Sequence, residues 1–88
     1  VTDVANLGQW FIYHTYDSRR SQAGFPDLVL TKNGRLIFAE LKTKKGRVRP
    51  DQQMWLDELE KHQGIEVYLW RPADMEFIMK TLLGRRLA

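Results

Sequence analysis

Residues 26–42 read PDLVLTKNGRLIFAELK, and the Asn33-Gly34 pair at the centre decides how the stretch folds. A two-residue type I′ turn needs positive φ at both central positions, which Asn and Gly accept most readily. Apolar, β-branched residues flank the pair on both sides, so PDLVL is expected to run out and RLIFAELK to return as an antiparallel hairpin. With Lys32 facing Arg35, residues whose numbers add to 67 oppose one another, and Asp27 falls opposite Glu40. Opposed side chains share a face of the sheet, as do residues two apart on one strand. Asp27, Glu40 and Lys42 are therefore expected to converge at one end of a hairpin whose other positions are apolar on both faces.

Outward from the hairpin, the aromatic and β-branched run WFIYHTY, residues 10–16, reads as a further strand placed in the core. Val1, Val4 and Leu7 recur at helical spacing before Gly8, as the last turns of a helix with a glycine at its end. After the basic loop TKKGRVR, Pro50 opens a helix expected to reach Gln63, with Gln52, Trp55, Leu56 and Leu59 on its inner stripe and Gly64 as the stop. IEVYLW is a strand ended by Arg71-Pro72, and Ala73 to Leu83 makes a closing helix with Met75, Ile78, Met79 and Leu82 in register. The expected fold is α/β, in the order α-β-β-β-α-β-α, with a mixed four-stranded sheet flanked by helices.

The 88 residues suffice for one core, so a single domain over 1–88 is expected, its first helix beginning upstream of a start trimmed of its Met. With no cysteine, disulfide scaffolds and thiolate metal sites are excluded, and oxygen is the plentiful ligand type. No apolar run approaches the roughly 18 residues of a membrane span and no leader is visible, so the expected location is intracellular and no membrane partner is expected. Fourteen Lys and Arg against 11 Asp and Glu leave a net charge of +3, which favours a polyanionic partner.

Two opposed carboxylates repel each other unless a positive charge lies between them. Mg²⁺ answers that need with hard oxygen coordination and retained waters, and Lys42 can stabilise charge building on a phosphate under attack. Gln52, in the first turn of the following helix and on its inner stripe, can reach the patch and bond a water of the ion. This chemistry suits hydrolysis of a phosphodiester.

The segments GFPDLVL, FAELKTKKGR, DQQMWLDEL and VYLWRPAD together resemble the virus-type replication-repair nuclease (VRR-Nuc) branch of the PD-(D/E)xK nuclease superfamily over nearly the whole chain. The superfamily pattern falls on Pro26-Asp27 and Glu40-Leu41-Lys42, and the branch's glutamine on Gln52. The resemblance implies a restriction-endonuclease-like core and a Mg²⁺-dependent DNA endonuclease in which Mn²⁺ substitutes. It further implies Asp27, Glu40 and the Leu41 carbonyl as metal ligands, and Asp27, Glu40, Lys42 and Gln52 as the catalytic set. Many members add a glutamate on the first helix, where this chain has only Asp3, and Arg49 stands where a Ser or Thr cap is commoner.

Arg19, Arg20, Lys44, Lys45, Arg47 and Arg49 are the expected DNA contacts, holding phosphates without reading sequence. Stand-alone phage-type members are homodimers that resolve four-way junctions, whereas versions fused into longer chains cut flaps as monomers. The resemblance to the former implies a homodimer acting on branched DNA, with Met75, Phe77 and Met79 of the closing helix as contacts. A monomeric flap nuclease and a DNA-binding module with an inactive site are the alternatives.

Overall fold

A computed structural model describes residues 1–15 and 22–84 of the chain. In chain order the elements are α1 (Thr2–Leu7), β1 (Phe11–His14), β2 (Leu28–Lys32), β3 (Arg35–Leu41), α2 (Pro50–Glu60), β4 (Ile65–Trp70), a 3₁₀ turn (Pro72–Asp74) and α3 (Met75–Leu83). They form one sheet in the order β1-β2-β3-β4, antiparallel except for the parallel β3–β4 pair that α2 connects. This is the α/β, restriction-endonuclease-like architecture that the sequence predicts.

Asn33 and Gly34 adopt φ of 48° and 80°, and Lys32 pairs with Arg35 and Leu28 with Ala39, so the hairpin has the predicted register. Leu28, Leu30, Ile37 and Ala39 line one face and are fully buried beneath α1 and α3, together with Trp10, Ile78 and Leu82. The Trp10 indole N–H donates to the Leu82 carbonyl at 2.7 Å, which satisfies that buried group and ties β1 to α3. Gly8 ends α1 with φ of −81°, so it contributes room and not a left-handed turn: a Cβ there would lie 2.7 Å from the Leu82 oxygen.

The opposite face of the hairpin, expected to be equally buried, is only partly covered. α2 packs chiefly on β4, and Phe25 joins it to the sheet through edge-on contacts with Phe38 and Trp55. β1 is the far edge, beyond the reach of α2, so Phe11 is 77% and Tyr13 65% exposed. That corrects the placing of Tyr13 in the core. Tyr16 lies outside the described residues, and the strand itself ends at His14.

Two helix boundaries also differ from expectation. α2 stops at Glu60 because Lys61 and His62 bond back three residues, to Glu58 and Leu59, which tightens the turn before Gly64 at φ of 84°. The closing helix begins at Met75, since Asp74 folds back onto Arg71: its carboxylate accepts the Arg71 N–H at 2.8 Å and its own N–H donates to the Arg71 carbonyl at 2.9 Å. No helix among the described residues is long and apolar enough to cross a membrane.

Candidate metal and phosphodiester site

The end of the hairpin opposite the turn gathers the polar residues. Extending the two antiparallel registers places Thr15, Asp27 and Glu40 in one row across β1, β2 and β3, and the Thr15 N–H donates to the Asp27 carbonyl at 2.9 Å. The Asp27 carboxylate accepts the Leu41 N–H at 2.8 Å, which fixes it against the end of β3. Pro26 and Gly24 set the approach to Asp27. Gly24 sits at φ of 90°, and a Cβ would come within 2.7 Å of the Asp51 carbonyl, so only glycine lets this loop pass under the first turn of α2.

Glu40 is buried to 2% exposure. One of its oxygens, Oε2, accepts from the Gln52 carboxamide at 2.7 Å and lies 3.5 Å from the Lys42 ammonium. The other, Oε1, is buried with no hydrogen-bond partner. Burial first, and the neighbouring Asp27 charge second, push the Glu40 carboxyl up to about 7, with Lys42 pulling the other way. A carboxylate in that position is short of positive charge.

Gln52 is held in one orientation. Its Oε1 accepts the Arg49 N–H at 3.0 Å while its Nε2 donates to Glu40, so a flipped amide would put oxygen against carboxylate and NH₂ against N–H. The same bond caps α2 from within, and Asp51 accepts the Gln52 N–H at 3.0 Å, so the helix start needs no Ser or Thr at the Arg49 position.

The basic loop follows at once. Lys44, Lys45, Arg47 and Arg49 are exposed, and the loop is pinned by Arg71, whose guanidinium donates to the Thr43 and Gly46 carbonyls at 2.8 and 2.7 Å. The sequence reading uses Arg71 as a strand breaker and as part of the VYLWRPAD segment, and gives it no tethering role. Thr15 is a second omission: its hydroxyl is buried without a partner in the row with Asp27 and Glu40. Asp3 is exposed in the first turn of α1, and Arg19 and Arg20 lie outside the described residues.

Among the described residues no group of three or more His, Cys, Asp and Glu side chains is placed to hold a metal. What the row offers is a pair of carboxylates, hard oxygen groups of the kind that take Mg²⁺ with several waters retained. The unpartnered Glu40 Oε1 beside Asp27 fits that use.

The fold and this row of residues define a restriction-endonuclease-like domain. The VRR-NUC domain family model matches residues 3–74, and the chain belongs to that family. Membership implies a nuclease-like, DNA-processing function. A solved structure described as a VRR_NUC domain protein superposes with a TM-score of 0.67 at 17% identity, covering 94% of this chain and 84% of that one, a likeness of fold. No curated protein matches the chain.

Proposed function

We propose that the chain is a Mg²⁺-dependent DNA endonuclease, with Mn²⁺ able to substitute, in which Asp27, Glu40 and the Leu41 carbonyl hold the ion. The observation that carries this reading is the buried, unpartnered Glu40 Oε1 next to a second carboxylate. When bound, the ion would supply Lewis-acid stabilisation of the phosphate and lower the pKa of water. Gln52 keeps Glu40 aimed by its bond to Oε2, and Asp27 is kept aimed by the Leu41 N–H. Lys42, with 14% of its side chain exposed, presents a positive charge where negative charge grows on the scissile phosphate.

Lys44, Lys45, Arg47 and Arg49 supply sequence-independent phosphate contacts at the mouth of the site. For the substrate, we favour branched DNA cut by a homodimer, because paired nicks across a four-way junction need two symmetric sites. Met75 and Phe77, 39% and 50% exposed on α3, with the half-buried Met79 beside them, are the contacts proposed for that dimer. The deciding experiment incubates the protein with linear, flapped and four-way DNA in Mg²⁺, Mn²⁺ or chelator. Cleavage only with a cation, and fastest on the junction, is expected; cation-independent cutting, or none on any substrate, would refute the reading.

A further inference from the structure

The sheet face that carries Asp27 and Glu40 has an open half. Phe11 pairs with Thr31 and Tyr13 with Val29, and Val29 pairs with Phe38, which meets Phe25 beneath α2. Phe11, Tyr13 and Thr15 therefore project from the same face as the carboxylates, in a line that ends beside Asp27. α2 sits over β4 and leaves this line uncovered, with both rings well over half exposed. Two large rings in water are unfavourable for an 88-residue domain, since each forfeits the stabilisation of burial.

We propose that Phe11 and Tyr13 form a stacking platform for unpaired bases of the DNA strand that enters the site. The proposal rests on the nuclease reading, which brings a nucleic acid to this face. β1 and β2 carry no acidic side chain, so on a chain of net charge +3 the carboxylates this line meets are Asp27 and Glu40 at its end, where the proposed cation would offset them. Alternate residues on a strand stand about 6.8 Å apart, twice the roughly 3.4 Å spacing of stacked bases. The pair thus matches bases drawn out of their stack, with a ring between them, and not the edges of a continuous duplex. Stacking on aromatic rings serves any base sequence, so the platform selects for unpaired structure next to the scissile phosphate.

The test measures binding in chelator, apart from cleavage. A duplex with a single-stranded tail carrying 2-aminopurine, and a blunt duplex of the same length, are titrated with wild type and three double variants. Phe11→Ala with Tyr13→Ala, and Phe11→Leu with Tyr13→Leu, should reduce the preference for the tailed DNA at least tenfold. Phe11→Tyr with Tyr13→Phe, which keeps both rings, should stay within about twofold of wild type. A leucine variant with wild-type preference, or equal losses on tailed and blunt DNA, would overturn the proposal. So would conversion of a dimer to a monomer by the alanine variant at unchanged preference, which would assign the face to a second copy of the chain. Ring-dependent binding by a protein that never cuts would refute the nuclease reading alone, and cutting with ring-independent binding would refute the platform alone.

Discussion

Glu40 is the residue on which the site's energetics turn. Without a cation, burial and Asp27 hold its carboxyl near 7 against an ordinary 4.5 in the unfolded chain. Between those values the folded state keeps a proton that the unfolded state has lost, so stability falls as pH rises through that window and is level above it. Chelated wild type should melt several degrees lower at about pH 8 than at about pH 5, beyond the drop shown by Glu40→Gln, which removes the titration; parallel melting curves for the two proteins would contradict this. Thr15→Val offers a second check: losing a buried hydroxyl that has no partner should leave the metal-free protein as stable or more so. A clear drop in melting temperature would show that the hydroxyl is satisfied. The two residues also differ in how far they could be read from sequence. The Asn33-Gly34 turn fixes the β2–β3 register, so the Asp27–Glu40 opposition could be counted off the chain. Thr15 could not, because the long segment between β1 and β2 sets no register.

At the scale of elements, the hairpin was legible because one turn chemistry and two apolar runs agree, and α2 because Pro50, the inner stripe and a following glycine agree. The exposure of β1 was not, since an aromatic, β-branched run reads the same at an edge as at the centre of a sheet, and only the placing of α2 over β4 decides which. Long-range tethers were equally hidden. Arg71 holds the loop after β3 by two carbonyls that lie 25 and 28 residues earlier in the chain. Arg71→Ala should leave the sheet intact and free that loop, so that trypsin cuts after Lys44, Lys45 or Arg47 markedly faster than in wild type, read by mass spectrometry at low protease. Unchanged cleavage would mean that the loop is ordered by something else.

For the whole molecule, the charge and the assembly carry the remaining predictions. Replacing Lys44, Lys45, Arg47 and Arg49 by Gln should weaken binding to every DNA and flatten its salt dependence by about 0.9 in log–log slope for each phosphate no longer neutralised. An unchanged slope would turn the loop away from DNA. Light scattering should report about twice 10.4 kDa for the homodimer proposed above, and Phe77→Glu should halve that mass, whereas a monomer at micromolar concentration would favour the flap-cutting alternative. The central claim is that the two-carboxylate row is where a divalent cation enables phosphodiester hydrolysis. It is tested most directly by following cleavage of one four-way junction by wild type and by Glu40→Gln, with Mg²⁺ and with chelator, on preparations shown by melting to be equally folded. The account predicts cutting by wild type with Mg²⁺ and by none of the other three combinations; a Glu40→Gln protein that cuts at the wild-type rate would contradict it.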